Sequence, residues 1–278
     1  MNLYDHTSFK TSKLITNAYS TSFSFATRLF DKETQEAIYN IYGFVRIADE
    51  IVDTFHNYNK RYLLDKFEAD YYEAIEQGIS TNPVLHSFQH TVIKYNIPDE
   101  HVRAFLKSMR SDLEKVNYRN QSEIDEYIYG SADVVGLMCL RVFCNGNMNL
   151  YNQLEVPAMK LGSAFQKVNF LRDLNADIKE LGRLYFPELV EKELNEDVKH
   201  LLVSAVEKDF ETAYFGIKLL PKRSKLAVLI AYYYYRELLR RIQRKSVNEL
   251  LSKRIHVPTS YKMYFFMKAA VDYKLKLV

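Results

Sequence analysis

The stretch Gly162 to Asp177, GSAFQKVNFLRDLNAD, carries the pattern that decides the fold of this chain. At about 100° per residue, four polar side chains fall within roughly 80° of one helix face. They are Gln166, Asn169, Asp173 and Asp177. The opposite side is apolar, as on a helix that packs against a core. The polar stripe is therefore either a solvated face or a face turned into a polar cavity.

Composition favours an all-α protein with a single domain over residues 1–278. The 278 residues are 47% hydrophobic, which is ordinary for a folded chain with a core. Only 8 Gly and 6 Pro are present, too few for the turns of a sheet protein, so we predict an almost wholly helical chain. We find no internal repeat and no linker. The 22 Tyr and 17 Phe suit helix packing or the lining of a long apolar pocket.

Charge, cysteine usage and hydropathy exclude several classes of protein. The net charge is only +3 and the basic residues are dispersed except around Arg236 to Arg244 and the C-terminus, so we expect no nucleic-acid partner. Cys139 and Cys144 match neither a disulfide framework nor a metal motif and indicate a reducing compartment. No targeting signal is visible, and the run from Leu226 to Tyr235 is too short to span a bilayer. We therefore expect a cytoplasmic protein that is soluble or peripheral to the inner membrane.

A dense group of hydroxyls, Ser20 to Ser24, interrupts a helical pattern over residues 11 to 30. Hydroxyls are poor in a helix interior but are good helix caps and good phosphate ligands. The group is therefore either an ordinary cap before the next helical turn or a phosphate contact.

A second acidic pair lies near the end of the helix KETQEAIYNIYGFVRIADEIVDTF, for which Asp31 is the predicted cap. Asp49 and Asp53 are one turn apart, and Arg46 precedes them by one turn. Like charges at this spacing repel, so the pattern is unusual for a solvated face.

Carboxylates one turn apart can share a divalent cation, and Mg²⁺ prefers a few carboxylates together with phosphate oxygens. Two such pairs on facing helices would hold Mg²⁺ against a diphosphate. Arg46 and Arg172 would take remaining phosphate charge, and Asn169 would complete a metal shell.

Three further segments have open interpretations. His86 and His90 have the spacing of zinc ligands on a helix, but Ser87 replaces the glutamate of an HExxH motif, which favours a packing role. Glycines within Asp125 to Gly146 permit either close helix packing or room for a bulky ligand. The basic, aromatic tail over residues 254–278 either docks on the protein or lies at a membrane surface.

The chain resembles the squalene and phytoene synthase family in three motifs. They are YGFVRIADEIVD (42–53), YIYGSADVVG (127–136) and FQKVNFLRDLNAD (165–177) followed by GRLYFP (182–187). The resemblance covers nearly the whole chain and is strongest to bacterial phytoene synthases. It implies an isoprenoid-synthase helical bundle with two aspartate-rich helices across a central cavity. It also implies a Mg²⁺-dependent prenyltransferase, with Mn²⁺ as a substitute, that joins two prenyl diphosphates head to head.

The resemblance further implies roles for individual residues. Asp49, Asp53, Asn169, Asp173 and Asp177 would be metal ligands. Ser22, Ser24, Arg46, Arg172, Arg183 and Tyr235 would contact diphosphate, and Tyr127 and Gln166 would lie near the reacting carbons.

This sequence departs from the family at two acidic positions. Glu50 stands where the family often has aspartate, and Ala176 where it often has glutamate. Both pairs keep their outer members, so we expect metal binding to survive. A C-terminal basic contact to diphosphate would fall to Arg254 or Lys262.

The expected reaction converts two geranylgeranyl diphosphates to phytoene through a cyclopropyl diphosphate in carotenoid biosynthesis, without NADPH. The same site on farnesyl diphosphate would make squalene or dehydrosqualene. A non-catalytic helical assembly protein is a third interpretation, and the presence of both acidic pairs argues against it.

Overall fold

Helices make up the protein throughout the described residues, which are 2–115, 117–179, 182–191, 194–258 and 260–275 of a computed structural model. In chain order the helices are α1 (Leu3–Tyr19), α2 (Thr21–Thr27), α3 (Lys32–Asp53), α4 (Lys60–Gln77), α5 (Pro83–Tyr95), α6 (Asp99–Glu114), α7 (Gln121–Ile128), a π-turn (Tyr129–Asp133), α8 (Val134–Cys144), α9 (Met148–Lys179), α10 (Glu188–Glu191), α11 (Glu196–Leu219), α12 (Lys222–Arg244), α13 (Val247–Leu250) and α14 (Ser260–Lys274). The prediction of an all-α bundle is confirmed.

Several helix ends follow local chemistry that the sequence predicts. Asp31 caps α3, because its carboxylate accepts a hydrogen bond from the Thr34 amide at 3.0 Å. Gly78 ends α4 with φ of +71°, a left-handed conformation that favours glycine. Pro221 separates α11 from α12, where the sequence pattern also places the break.

The central helix α9 is longer than the predicted polar stripe, since its 32 residues begin at Met148 and include Pro157. Proline inside a helix normally kinks or breaks it. Here the neighbouring α11 places Gly216 against the proline ring, and a Cβ at Gly216 would lie 2.3 Å from the Cβ of Pro157. The absence of a side chain at Gly216 lets α11 and α9 pack closely where the proline interrupts the hydrogen-bond ladder.

A cluster of aromatic rings around Phe44 fixes α3 in the bundle. The ring of Phe44 is fully buried and stacks on that of Phe88 with centroids 4.0 Å apart. Phe67 and Phe105 also contact it, with centroids within 5.6 Å. Removing a buried ring of this kind typically destabilises a fold by about 3–5 kcal/mol. The cluster therefore anchors α3 about one turn before Asp49.

Among the described residues, Gln121–Cys144 is long and apolar enough to cross a membrane by length and mean hydropathy. That stretch comprises α7, the π-turn and α8, and 61% of its apolar window is buried inside the protein. Its hydropathy is that of a buried core helix, and it is weak evidence for a span.

Candidate active site

The two acidic pairs lie at the C-terminal ends of α3 and α9. We call Asp49 and Asp53 the first acidic pair, and Asp173 and Asp177 the second acidic pair. Arg183 connects them: its guanidinium donates to Asp53 Oδ1 at 3.1 Å, and its backbone N–H donates to the Asp177 carbonyl at 2.8 Å. The two helix ends are therefore neighbours, as the sequence predicts.

The first acidic pair contacts an arginine of its own helix. Arg46 Nη1 donates to Asp49 Oδ2 at 2.5 Å, and its other terminal nitrogen donates to Glu50. Thr54 Oγ1 also donates to Glu50, at 2.6 Å. Glu50, one of the two family departures, thus serves to hold Arg46 and Thr54.

Negative charge is concentrated around Asp49. Burial raises the pKa of Asp49 to about 6, and the adjacent charge of Asp53 contributes to the increase. A third of the Asp49 side chain remains accessible, because it faces the cleft between the helix ends and not the solid core. A cation entering the cleft would relieve this repulsion.

The second acidic pair has a similar arrangement with a different outer partner. Arg172 donates to both carboxylate oxygens of Asp173, at 2.5 to 3.1 Å. Arg254, which follows α13, donates from Nε to Asp173 Oδ1 at 2.7 Å. Burial raises the pKa of Asp177 to about 7, and the charges of Asp173 and Asp53 add to this.

Of the two candidates for a C-terminal basic contact, Arg254 lies at this site. The side chain of Lys262 lies outside the described residues. Nothing in the structure explains Ala176. It leaves Asp173 and Asp177 as the acidic groups of this stretch of α9.

The rest of the polar stripe links the acidic ends to the interior. Tyr235 donates its hydroxyl to Asn169 Oδ1 at 3.4 Å, and its ring stacks on Phe165 with centroids 4.0 Å apart. Gln166, one turn before Phe170, lies in the wall of an apolar cavity. All four stripe residues are half-buried and Gln166 lines the cavity, so the stripe is not an ordinary solvated face.

The central cavity has a volume of about 280 Å³. Its lining is almost wholly apolar and comes from α2, α3, the π-turn, α8, α9, α11 and α12. The wall residues used below are Phe23, Phe30, Phe143, Leu154, Leu161, Phe165, Gln166 and Leu220. About 18 Å of α9, from Leu154 to Gln166, runs along the cavity at 1.5 Å per residue. The cavity is therefore elongated and ends near the acidic pairs.

Gly136, in the predicted Asp125 to Gly146 segment, serves both interpretations, and so does Gly162 of α9. A Cβ at Gly136 would lie 2.9 Å from the Ala158 carbonyl oxygen, and one at Gly162 would lie 2.7 Å from that of Ala132. These contacts require close packing of α9 against α8 and the π-turn. Both glycines also line the cavity, so the same close approach shapes its wall.

The hydroxyl side chains of Ser20 to Ser24, which follow α1, are mainly structural. Ser20 caps α2 by accepting from the Phe23 amide at 3.2 Å. Ser24 is buried, and its hydroxyl donates to Asn17 Oδ1 at 2.6 Å. A hydroxyl has a single proton, so Ser24 cannot donate to a phosphate in this conformation. The expected contact of Ser24 with phosphate stays a prediction that requires its hydroxyl to leave Asn17, while Ser22 is half-buried at the start of α2.

Tyr127 differs from its expected position near the reacting carbons. Its hydroxyl donates to Asp112 Oδ2 at 2.9 Å, and its ring lies among those of Tyr118, Phe170 and Tyr185. It is not among the cavity-lining residues of the described chain. The structure therefore places Tyr127 on the acidic side of α9, where α6 and α7 meet.

Asp112 is the site residue that sequence reasoning missed. It is buried, and Arg183 donates to its carbonyl oxygen at 2.8 Å. Burial raises the pKa of the Asp112 carboxyl to about 7, although the positive charge of Arg183 opposes the increase. Its position on α6 gave no signal, because only the fold brings it to Tyr127 and Arg183.

The donor set fits Mg²⁺ or Mn²⁺. The four aspartates and Asn169 offer oxygen atoms alone, which hard divalent cations prefer. Burial raises the pKa values of Asp49 and Asp177, and charge repulsion within each pair adds to the increase. A cation bound between these carboxylates would stabilise their ionised forms.

The histidine pair on α5 belongs to a separate cluster with Asp5, whose ligand atoms lie within 4.8 Å of one another. The Ser80 amide donates to His86 Nδ1 at 3.4 Å, so His86 carries its proton on Nε2 and donates it to Asp5 Oδ1 at 2.9 Å. In this tautomer Nε2 has no lone pair for a metal. The cluster joins α1 to α5, in agreement with the packing interpretation.

An all-helical bundle with two acidic helix ends at one end of an apolar cavity defines an isoprenoid-synthase-type protein. Residues 16–261 match the model of the family described as squalene/phytoene synthase, and the chain belongs to that family.

Similar proteins carry related names. The chain is 28% identical over 282 residues to a phytoene synthase from Arthrospira platensis, covering 92% of this chain and 90% of that protein. It is 29% identical over 267 residues to chloroplastic phytoene synthase 1 from Zea mays, covering 90% of this chain. The match spans only 64% of the maize protein's length.

Solved structures share the fold. A dehydrosqualene synthase in complex with ligand superposes with a TM-score of 0.84 at 24% identity, covering 97% of this chain and 98% of the other. The squalene synthase HpnC from Alicyclobacillus acidocaldarius gives a TM-score of 0.77 at 21% identity, covering 88% of this chain and 96% of the other.

Proposed function

We propose that the protein is a prenyltransferase that joins two geranylgeranyl diphosphates head to head and forms phytoene. The observation that carries the proposal is the position of the two acidic pairs at one end of an elongated apolar cavity. A prenyl diphosphate has the matching shape: a strongly anionic head and a long hydrocarbon chain. Family membership supports the same chemistry.

The acidic pairs and Asn169 would hold Mg²⁺ ions. Bound there, Mg²⁺ neutralises diphosphate charge and makes the diphosphate a better leaving group. The carboxylates of this chain fix where that charge is gathered, about one turn of α3 beyond Val45 in the cavity wall.

Arg46 and Arg172 would change partners when substrate binds. Each now pairs with an aspartate of its own helix. Once those carboxylates have a cation, the guanidinium groups are available to bind phosphate oxygens, which they match in a bidentate geometry. The arginines thus compensate the acids in the free protein and the diphosphate in the complex.

The chemistry begins when the C1–O bond of one allylic diphosphate breaks and the electron pair leaves with the diphosphate. The double bond of the second molecule attacks the resulting cation, and loss of a proton closes a cyclopropane. A second ionisation, rearrangement and proton loss give phytoene and two diphosphates in total. Hydrogen and electrons balance without a reductant, so no NADPH is needed.

The cavity wall protects these cations. It is almost wholly apolar, which excludes water, and burial raises the pKa of the Cys139 thiol in the wall and so keeps it protonated. The rings of Phe23, Phe165 and Tyr235 lie along the wall or next to it, and ring faces stabilise positive charge.

A thirty-carbon product from farnesyl diphosphate is the second candidate, favoured by the fold's likeness to a dehydrosqualene synthase. The test is incubation of the purified protein with Mg²⁺ and an equimolar mixture of both diphosphates, followed by analysis of extracted hydrocarbon. We expect a forty-carbon triene-bearing product. Thirty-carbon product alone would overturn the chain-length assignment, and no hydrocarbon from either substrate would favour a non-catalytic protein.

A further inference from the structure

The C-terminal helix α14 has an unusual distribution of apolar side chains. Its inner face is fixed to the protein: Phe265 and Ala269 are buried, and the edge of Phe266 contacts Phe25 of α2 with centroids 6.4 Å apart. On α12, Tyr233 donates its hydroxyl to Asp272 at 2.5 Å. The helix is therefore docked, and its outer face is held in a defined orientation.

That outer face is also apolar. Five large apolar side chains form a stripe in which each is more than half exposed: Met263, Tyr264, Met267, Val271 and Leu275. Four of them recur every fourth residue, so they follow one another along the helix surface. Lys274 is exposed, and the side chain of Lys268, which is 41% exposed and paired with Asp272, lies beside the stripe.

The exposed face of α11 shows how a solvated helix differs. It too exposes large apolar residues, Leu201 and Phe215 among them, but Lys208, Glu211 and Lys218 lie between and beside them. Scattered exposed apolar residues are normal on a protein surface, whereas a continuous apolar stripe marks an interaction site.

Charge distinguishes between occupants of the stripe. Residues 236–278 contain eleven Lys and Arg against three Asp and Glu, a net charge of +8, whereas the preceding 235 residues carry −5. Arg241 lies over the ring of Tyr261 at 4.8 Å, and Arg240 lines a surface pocket with Glu237, Tyr261 and Tyr264. Two arginines that share Glu237 as their ion-pair partner therefore flank the stripe at its N-terminal end. Two copies of this surface would repel each other, but an anionic surface would attract it.

The length of the helix excludes insertion across a bilayer. Its 15 residues extend about 22 Å, less than the roughly 30 Å hydrocarbon core. An apolar face flanked by basic residues instead suits a helix that lies in the plane of the interface.

We propose that α14 is a membrane-docking surface that inserts its apolar stripe into the headgroup region of a bilayer containing anionic lipids. This places lipid one helix layer from the cavity, because Phe266 contacts α2 at Phe25 and the adjacent Phe23 and Ala26 line the cavity. The surface does not depend on the proposed reaction, and its test needs no substrate.

The absence of tryptophan from the chain permits a direct test. Tyr264→Trp introduces a single fluorophore into the stripe, and Phe215→Trp introduces a matched one on α11. With full-length protein and vesicles containing phosphatidylglycerol and brominated lipid, we expect quenching at position 264 but little at position 215. Equal quenching at both positions, or none at either, would overturn the proposal.

Partitioning gives an independent measure. We expect Met267→Glu with Val271→Glu to weaken flotation with anionic vesicles by about tenfold or more. The charge-matched control, Leu201→Glu with Phe215→Glu, should float like the unmodified protein, and zwitterionic vesicles should bind weakly. Unchanged flotation of the α14 variant would contradict the docking surface.

Light scattering after size exclusion tests whether a second copy of the protein, and not lipid, covers the stripe. If the unmodified protein were a dimer and the α14 variant a monomer, the stripe would be an interface between copies and the lipid proposal would fall. We expect the same mass for both. Hydrocarbon synthesis in detergent should be unaffected in the α14 variant, which separates this proposal from that of the reaction.

Discussion

The C-terminal ends of α3 and α9 carry the same chemical pattern but are supported in opposite ways. At each end an arginine of the same helix pairs with the acidic residues: Arg46 with Asp49, and Arg172 with Asp173. Beyond that, the first acidic pair contacts the buried Arg183, whereas the second contacts Arg254, whose side chain is 68% exposed. The first half of the site is built into the core, and the second is completed from the surface.

The different exposure of Arg183 and Arg254 indicates which side of the site can rearrange. A buried guanidinium with three partners cannot be withdrawn without leaving unpaired charge in the core. An exposed arginine on the segment between α13 and α14 can be withdrawn at little cost. We expect the α3 side to be preformed and the α9 side to exchange partners when diphosphate arrives.

Removing one carboxylate from each pair should have the largest effect. Asp49→Asn and Asp173→Asn should each reduce kcat on the order of a thousandfold, because each loses charge that holds the cation. Product formation measures the rate, and circular dichroism verifies that helicity is retained. Near-normal turnover in either variant would break the symmetry between the two ends and contradict the two-site Mg²⁺ model.

Replacing Arg183, the buried arginine that contacts the first acidic pair, should have the second largest effect, and that effect should be on stability. Arg183→Ala deprives Asp53, the Tyr185 hydroxyl and the Asp112 carbonyl of their donor, and we expect a loss of about 3 kcal/mol in the free energy of unfolding. Urea unfolding followed by circular dichroism measures it. A loss below about 1 kcal/mol would show that Arg183 is a surface-like contact despite its burial.

The buried Asp112 should give a pH dependence. Its pKa in the fold is raised to about 7, above the ordinary value near 4, so the fold favours the neutral acid. Its contribution to stability is present below about pH 4 and is lost as the pH rises towards 7, by at most about 1.4 kcal/mol per unit.

The Asn variant does not titrate, so the difference in unfolding free energy between the unmodified protein and Asp112→Asn should fall as pH rises from 4 to 7. Asp125→Asn, at an exposed position of α7, is the control and should show no such trend. A flat difference for Asp112→Asn would mean that the carboxyl is ionised throughout.

Replacing Arg254, the exposed arginine that contacts Asp173, should have the smallest effect on stability. Arg254→Ala should change the free energy of unfolding by less than about 1 kcal/mol, as expected for an exposed ion pair. If Arg254 exchanges from Asp173 to diphosphate, KM for the substrate should rise several-fold with helicity unchanged. A stability loss equal to that of Arg183→Ala would remove the contrast between the two ends.

Sequence patterns predicted those parts of the molecule that depend on near neighbours along the chain. Asp31 begins α3 and Gly78 ends α4 because helix capping depends on neighbouring residues. The acidic pairs were visible because one helical turn brings residues i and i+4 together. The resemblance to a known family then supplied the facing arrangement. Its assignments of metal and substrate ligands remain predictions for biochemical measurement.

The features that the sequence did not predict depend on contacts between segments that are distant along the chain. Pro157 interrupts the hydrogen-bond ladder of α9, and Gly216 of α11, 59 residues away in the sequence, leaves room for its ring. Tyr127 was assigned to the cavity, although Asp112 draws its hydroxyl to the acidic side. Ser24 was assigned to phosphate, although Asn17 takes its proton. Neither partner carried a pattern that single-sequence reasoning could find.

The small residues of the cavity wall have a consequence for how this protein can evolve. Ala26, Ala158, Ala213 and Ala227 come from four different helices and all face the cavity. A single nucleotide change converts an alanine codon to valine, and each added methyl group that enters the cavity would narrow it. A contact of this size changes the fit of a hydrocarbon by about 1–3 kcal/mol. We therefore expect single substitutions at these positions to shift, in small steps, the length of hydrocarbon that the cavity accepts.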